Sequence, residues 1–218
     1  MTINEEAILK GYSLGIFPMS ESFDDPNIYW INPKKRGVIP LDDFKISKSL
    51  KKEIKKKKFK ITINKNFNQV IKNCAKKTEN RPTTWINKEI VELYSNLNQI
   101  GHAHSIEAWF KNKLVGGLYG VSLGSAFFGE SMFSKMSNAS KVCLVYLIAN
   151  LKIKGFTLLD TQFVNPYLKK LGAIEITRKN YLKLLGKSLK KNTNFSKKVS
   201  QSSIYEIIHS MTHTSYTA

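Results

Sequence analysis

The chain has 218 residues, 42% of them hydrophobic, which is enough to build a buried core. Its 35 Lys and Arg against 16 Asp and Glu give a formal net charge of +19, which argues against a cationic partner and favours a polyanion such as nucleic acid. A general bias toward Lys, Asn and Ile would also raise the lysine content, so clustering matters more than the total. The longest apolar run, 142–151, is too short to span a bilayer, and no signal peptide is recognisable, so we expect no membrane association.

Two cysteines occur, Cys74 and Cys143, and their spacing fits neither a disulfide framework nor a metal site. We therefore expect free thiols in a reducing compartment, and a cytoplasmic protein. His102 and His104 lie two residues apart, but no further ligand follows at a suitable spacing. We expect no zinc and no other cofactor.

The first predicted element is a short helix over 3–14, which the glycine and proline within 15–18 end. The strand-like triplet 29–31 contains Tyr and Trp and precedes three cations at 34–36. Aromatic residues beside cations suit a surface that stacks a base and holds phosphate. Packing of the same aromatic residues in the core is an equally good explanation.

The most basic helix is predicted over 47–58, with Ser47 as its N-cap. Four lysines recur at helical spacing opposite its apolar residues: Lys48, Lys51, Lys52 and Lys55. Like charges at these spacings repel one another, and a phosphate backbone would relieve the repulsion. We interpret these lysines as contacts to an RNA backbone; a merely solvated face is the alternative.

The remaining elements alternate between helices and strands. Helices are predicted over 66–77, 88–100, 139–155, 166–172 and 177–185, with Asn87 and Asn138 as N-caps of the second and third. Strands are predicted over 59–64, 104–110, 156–163 and 173–176. The segment 187–218 is polar and basic, and we expect a mobile tail with a weak amphipathic stretch near its end.

Within 116–134, two strands around a Ser-Leu-Gly turn are predicted, and one carboxylate interrupts their apolar residues. Burying a carboxylate without a partner costs several kcal/mol. We interpret Glu130 as a polar group in the wall of an apolar pocket, suited to a ligand with an apolar part and an amine. An exposed glutamate paired with a lysine is the alternative.

A second polar anomaly lies on the strand predicted over 156–163. Asp160 and Gln162 are two residues apart, so they share one face of a strand made otherwise mainly of Phe and Leu. Buried polar groups need partners. The pair is therefore either a candidate site or a structural pair that bonds the next helix.

The order of these elements is that of an α/β (α+β) acetyltransferase-like fold with a small N-terminal domain. Several blocks are more specific, among them GYSLGIFPMSE, YWINPKKRGVIPL, GHAHSIEAW, FFGESMFSKMSNASK and LLDTQ. Together they resemble the leucyl/phenylalanyl-tRNA–protein transferases over residues 8–186. We divide the chain into a small N-terminal domain (1–37), an acetyltransferase-like catalytic domain (38–186) and the basic tail (187–218).

The resemblance implies an aminoacyltransferase. Such an enzyme transfers leucine or phenylalanine, with methionine as a further candidate, from aminoacyl-tRNA to the N-terminal Arg or Lys of an acceptor protein. The new peptide bond marks the acceptor for degradation. The implied partners are charged tRNA and the acceptor protein, and we expect a monomer.

The motifs also imply site residues. The active-site positions correspond to Glu130, Asp160 and Gln162. The pocket for the transferred side chain corresponds to Leu118, Phe127, Met132, Leu144 and Leu159. Trp85 corresponds to an aromatic residue near the tRNA 3′ end, whereas Met19 stands where some members have tryptophan, so we expect weaker stacking there.

An aminoacyl ester is already activated, so attack by an amine mainly requires positioning and removal of a proton. We expect Gln162 to accept a hydrogen bond from the amine, Asp160 to orient Gln162, and Glu130 to hold an ammonium or a ribose hydroxyl. The final proton acceptor stays open.

Two alternatives belong to other classes of protein. An acetyl-CoA-dependent N-acetyltransferase needs a glycine-rich pyrophosphate loop before the central helix, and 133–141 contains no glycine. A non-enzymatic RNA-binding protein would explain the lysines, but not the polar residues set among apolar strands.

Overall fold

The computed structural model describes residues 3–44, 46–79 and 81–213, the last of them by its backbone only. Within these ranges there are eight helices: α1 (Glu5–Ser13), α2 (Lys48–Lys55), α3 (Phe67–Ala75), α4 (Lys88–Gln99), α5 (Ala139–Ile153), α6 (Pro166–Lys170), α7 (Arg178–Leu189) and α8 (Gln201–His213). The same ranges contain nine strands: β1 (Phe17–Met19), β2 (Tyr29–Ile31), β3 (Lys35–Val38), β4 (Lys60–Ile63), β5 (Ala103–Phe110), β6 (Lys113–Leu123), β7 (Ala126–Ser134), β8 (Leu158–Gln162) and β9 (Ile174–Thr177).

Helix starts follow the capping chemistry of the sequence, with one exception. The side chains of Ser47 and Asn87 accept backbone hydrogen bonds at the starts of α2 and α4, which confirms both predictions. The prediction for Asn138 is wrong, because this residue has a left-handed φ of 66° and its side chain makes no capping bond. Instead, Ser134 Oγ accepts the N–H of Ser140 at 3.1 Å near the start of α5.

Seven strands form one mixed sheet in the order β4-β5-β6-β7-β8-β3-β9, and β1 pairs with β2 separately. Neighbouring strands of the large sheet are antiparallel except β7 and β8, which are parallel. The parallel pairing extends only from Ala126 opposite Leu158 to Phe128 opposite Asp160. Beyond these residues β7 and β8 are no longer paired, and the sheet opens there.

The core lies on both faces of this sheet because successive strand residues point to opposite sides. Leu118 and Phe127 belong to the apolar cluster that includes α2, α5 and α8. Tyr119 and Phe128 belong to the other cluster, which includes α1, α3, α4 and α7. In the part of the chain that the structure describes, no helix combines the length and apolarity needed to cross a bilayer.

The segment 187–218, for which the sequence predicts a mobile tail, contains α8. Ile204, Ile208 and Met211 are buried in the cluster around α5, because their spacing gives α8 an apolar face. The structure therefore differs from the expectation for α8, whose apolar face packs against the core. Residues 214–218 of the predicted tail lie outside the described ranges.

Candidate active site

A cavity of about 320 Å³ opens beside the point where β7 and β8 cease to pair. Its volume lies near the lower end of the range for small-molecule sites. Most of its wall is apolar, with side chains from both sheet faces and α5, among them Phe17, Ile39, Leu118, Met132, Leu144, Leu147 and Leu159. Glu130 and Gln162 supply polar groups to the same wall.

An irregularity in the pairing of β6 with β7 places Glu130. Tyr119 lies opposite Ser131 and Gly120 lies opposite Gly129, so Glu130 is an extra residue on β7 without a partner opposite. This arrangement is a β-bulge, which interrupts the regular alternation of a strand and redirects side chains. The bulge explains how a carboxylate within an apolar strand reaches the cavity.

Three neutral donors surround the carboxylate of Glu130. Its Oε1 accepts the hydroxyl of Tyr12 at 2.7 Å and the side-chain amide of Gln162 at 2.9 Å. Its Oε2 accepts the hydroxyl of Tyr94 at 3.4 Å, and the two tyrosine hydroxyls contact each other. Among the described residues no lysine or arginine forms an ion pair with Glu130, so the alternative of an exposed, lysine-paired glutamate is wrong.

Burial raises the pKa of Glu130 to about 8, because the carboxylate loses its hydration. The hydrogen bond from Tyr12 opposes this shift, and the negative charge of Asp160 adds to it. Burial also raises the pKa values of Tyr12 and Tyr94 well above the usual range, so both remain neutral donors. Near neutral pH, Glu130 can therefore both bind and release a proton.

Gln162 ends β8 in an unusual backbone conformation, with φ at 55°. Its backbone N–H donates to Asp160 Oδ1 at 2.8 Å, and its side-chain Nε2 donates to Glu130. No donor among the described residues bonds Gln162 Oε1, although the side chain is buried and lines the cavity. This oxygen is available as an acceptor for a ligand amine.

Asp160 does not line the cavity. Its side chain is fully buried and accepts from Nε and Nη2 of Arg36 at 3.0 and 2.8 Å and from the hydroxyl of Tyr181 at 2.6 Å. It contacts Gln162 through the backbone N–H, not through the side chain that the sequence hypothesis invoked. Asp160 therefore acts on the cavity only through its neighbour.

Four of the five predicted pocket residues line the cavity: Leu118, Met132, Leu144 and Leu159. Phe127 does not, because it lies in the paired part of β7, where β8 closes the gap. Its ring is fully buried and its centroid lies 5.1 Å from that of Phe195. Leu147, which the sequence did not single out, contributes to the wall instead.

A second cavity, of about 710 Å³, adjoins the first, and Met19 and Trp85 line both. Trp85 is held there because its carbonyl accepts the N–H of Ser20 at 3.1 Å. Glu21 and Arg81 add charged groups to this second wall. The predicted 3′-end residue thus lies at the junction of the two cavities.

The lysines of α2 are not equivalent. Lys48, Lys52 and Lys55 are exposed, as a phosphate-binding face requires. Lys51 is half-buried, and its Nζ donates to the carbonyl of Thr212 on α8. Lys51 therefore joins two helices.

His104 makes structural hydrogen bonds inside the protein. His104 Nδ1 lies 3.0 Å from the side-chain amide of Asn64, and Nε2 lies 3.0 Å from the hydroxyl of Ser122. Burial lowers the pKa of His104 to about 3, so its ring is neutral. Within the described ranges, no three His, Cys, Asp or Glu side chains are arranged to hold a metal ion.

Several site residues were not found from the sequence. Tyr12 follows Ile8 by one helical turn and therefore resembles an ordinary core residue. Three buried hydroxyls of the cavity wall have no hydrogen-bond partner among the described residues: Tyr119, Thr161 and Tyr167.

Comparison with known families identifies the chain. The sequence model of the leucyl/phenylalanyl-tRNA protein transferase family matches residues 38–186. The sequence model of the N-terminal domain of the same proteins matches residues 1–34. The chain belongs to this transferase family. Among solved structures, L-PGS from Bacillus licheniformis is similar at 12% identity and a TM-score of 0.40. The match covers 74% of this chain and 51% of that one, so the chain spans about half the length of that protein.

The two matched ranges of the transferase family meet at the cavity. Glu130 and Gln162 come from the range 38–186, whereas Tyr12, which bonds Glu130, comes from the range 1–34. Arg36 lies between the two ranges and bonds Asp160. The candidate site is therefore assembled from both parts of the chain.

Proposed function

We propose that this protein transfers leucine or phenylalanine, with methionine as a further substrate, from aminoacyl-tRNA to the N-terminal Arg or Lys of an acceptor protein. The observation that carries the proposal is the apolar cavity with Glu130 and Gln162 in its wall, in a chain of the leucyl/phenylalanyl-tRNA protein transferase family. The product is marked for degradation. Aminoacyl-tRNA and the acceptor are its partners.

In the proposed reaction, the acceptor nitrogen forms a bond to the carbonyl carbon of the ester, and the bond from that carbon to the ribose oxygen breaks. One proton must leave the nitrogen, and the ribose oxygen must gain one. Gln162 Oε1 accepts a hydrogen bond from the amine and orients it. Glu130, with its pKa raised to about 8, takes up the proton and returns it to the leaving oxygen.

The apolar wall holds the transferred side chain in this proposal. Leu118, Met132, Leu144 and Leu159 serve as predicted, and Leu147 takes the place of Phe127. Trp85, at the junction with the second cavity, contacts the 3′ end of the tRNA. Exposed lysines of α2 contact the tRNA backbone: Lys48, Lys52 and Lys55.

We further propose an acetyltransferase-like arrangement, supported by a mixed sheet in which one parallel pair parts at the cavity. The division into 1–37, 38–186 and 187–218 stays a proposal, with β3 crossing the first boundary and α8 packed on the core. The buried free thiols of Cys74 and Cys143 suit a reducing cytoplasm. We propose that the enzyme acts as a monomer.

The test is incubation with leucyl-tRNA and a peptide that begins with arginine, followed by mass spectrometry. We expect the peptide to gain one leucine residue. A peptide with an acetylated N-terminus is the matched control and should stay unmodified. Acetyl-CoA as the donor tests the rival activity: acetylation would favour an N-acetyltransferase, and tRNA binding without any transfer would favour an RNA-binding protein.

A further inference from the structure

Arg36 is a large cation buried in the interior, with 1% of its surface exposed. Its guanidinium carbon lies 4.5 Å from the ring centroid of Phe17 and 4.5 Å from that of Tyr181. Nη1 donates to the carbonyl of Gly15 at 3.0 Å, while Nε and Nη2 donate to Asp160. Both faces of the guanidinium and all three nitrogens are thus in use, so Arg36 has a role within the protein and does not bind substrate.

Stability alone is a weak reason for such an ion pair. Removing two charges from water is expensive, and a well-packed apolar pair often stabilises a core at least as well. Burial alone would lower the pKa of Arg36, but the charge of Asp160 outweighs it and the pKa lies above its usual value. Burial, with the charge of Asp160, raises the pKa of Tyr181, which remains a neutral donor. The arrangement therefore keeps Asp160 as an immobile carboxylate.

The immobile carboxylate of Asp160 stabilises a strained backbone conformation at Gln162. A residue other than glycine at φ 55° is unfavourable, and the bond from the N–H of Gln162 to Asp160 Oδ1 compensates for this. On the neighbouring strand, Gly37 lies opposite Gln162, and a Cβ there would come 2.8 Å from the carbonyl carbon of Phe163. Arg36 and Gly37 are adjacent on β3, and both constrain the backbone at 162–163. Arg36 does so through Asp160, and Gly37 does so because it has no side chain to push this backbone away.

We propose that Arg36 and Tyr181 are positioning residues for aminoacyl transfer. They hold Asp160, Asp160 holds the backbone of Gln162, and Gln162 in turn directs its side-chain Nε2 to Glu130 and its Oε1 into the cavity. The inference rests on the proposed function. It assigns to Asp160 the role of a fixed hydrogen-bond acceptor, with no part in proton transfer.

The test is a double-mutant cycle on turnover at saturating leucyl-tRNA and peptide. Tyr181→Phe removes one donor to Asp160 and keeps the ring beside Arg36. In the wild-type background we expect turnover to fall about 10-fold, with unchanged affinity for tRNA. In the Gln162→Ala background, the same change should lower turnover less than about 2-fold, because the group it positions is gone.

Arg36→Lys is the second variant, since it keeps a cation but loses the two-point contact with Asp160. We expect a larger loss of turnover, about 100-fold, again suppressed in the Gln162→Ala background. Lys183→Gln is the matched control, because Lys183 is exposed on α7, the helix that carries Tyr181. It should keep wild-type turnover.

A merely structural role predicts equal losses in the two backgrounds, and that result would overturn the inference. Wild-type turnover in both variants would overturn it as well. Hydrogen exchange of the Gln162 amide gives a readout independent of activity, and in Tyr181→Phe it should accelerate by more than the loss of global stability accounts for. If the wild-type protein transfers nothing from leucyl-tRNA, the proposed function itself fails; transfer with additive losses removes only the positioning roles.

Discussion

Two carboxylates lie on neighbouring strands of the sheet, the half-buried Glu130 on β7 and the fully buried Asp160 on β8, and their surroundings are opposite in kind. Asp160 faces a guanidinium and a tyrosine hydroxyl, and its charge is fully compensated. Among the described residues, every group that donates a hydrogen bond to Glu130 is neutral, and burial raises the pKa of Glu130 to about 8. The surroundings thus hold the Asp160 carboxylate in place by an ion pair and hydrogen bonds, whereas they make Glu130 a group that exchanges a proton near pH 8.

Gln162 connects the two groups, through its backbone to Asp160 and through its side chain to Glu130. Asp160 fixes the position of Gln162, and Glu130 faces the cavity. Replacing each carboxylate by its amide is the direct way to test this comparison, because the two changes should have different consequences.

The largest expected effect is on stability at Asp160. Asp160→Asn leaves the Arg36 guanidinium buried without a counterion, so we expect the free energy of unfolding to fall by about 3–5 kcal/mol. Urea denaturation at pH 7 measures this. Glu130→Gln is the matched amide control and should not destabilise the protein. Equal stability losses in the two variants would break the comparison.

At Gln162, the expected effect is on turnover. Gln162→Ala removes the amide that faces both Glu130 and the amine, so turnover should fall by about 10²-fold or more. Gln162→Glu should lose as much, because a second carboxylate beside Glu130 resists ionisation. Charged tRNA should still bind. A Gln162→Ala protein that melts normally and transfers leucine at the wild-type rate contradicts the assignment.

The apolar wall should discriminate by size. Each methylene that a substrate lacks is worth about 1–3 kcal/mol in such a pocket. Leucine and phenylalanine should therefore both be transferred, with valine slower by roughly one or two decades and alanine slower still, in competition assays with charged tRNAs. Glu130→Gln should lower transfer of all four without changing their ranking, which separates the apolar wall from the polar one. Equal transfer of alanine and leucine would exclude this pocket.

The raised pKa of Glu130 has a consequence for pH dependence. The folded protein holds this proton up to about pH 8, whereas an exposed glutamate releases it near pH 4.5. The stability that it contributes is therefore fully present below about pH 4.5 and is lost as the pH rises toward 8. Relative to Glu130→Gln, the wild-type melting temperature should fall over this window.

Thermal unfolding is the suitable readout here, because an acceptor α-amine titrates near pH 8 as well and would confuse an activity profile. A change of about 1 kcal/mol in the free energy of unfolding shifts the melting temperature of a domain this size by about 2–4 °C, which is large enough to measure. A constant difference between the two proteins from pH 4.5 to 8.5 would show that Glu130 titrates normally.

The smallest expected effect distinguishes the exposed lysines of α2 from Lys51, whose side chain contacts α8. Replacing Lys48, Lys52 and Lys55 by Gln should reduce the slope of log affinity for tRNA against log salt by about 2, as expected for three lost phosphate contacts. Lys51→Gln should leave that slope nearly unchanged and lower stability instead, because Lys51 contacts Thr212. An unchanged slope in the triple variant means that this face is only solvated.

The sequence by itself determined most of the local structure and the outline of the site. The spacing of apolar residues located the helices, and Ser47 and Asn87 marked two of their starts, because both signals act within one or two turns. Glu130 and Gln162 stood out as polar residues in apolar strands, and the structure brings them to one cavity wall. The resemblance of the sequence blocks to one family is confirmed by the matches over 1–34 and 38–186.

Only the tertiary structure decided which partners these groups have. Arg36, in a run of surface-like cations, is buried on Asp160 across 124 residues of chain, and Tyr12 reaches Glu130 across 118. The bulge at Glu130 and the closure of β8 over Phe127 depend on strand pairing, which single-chain periodicity does not encode. Local patterns fix the conformation of neighbouring residues, but the state of a buried charge depends on groups that meet only when the sheet is assembled.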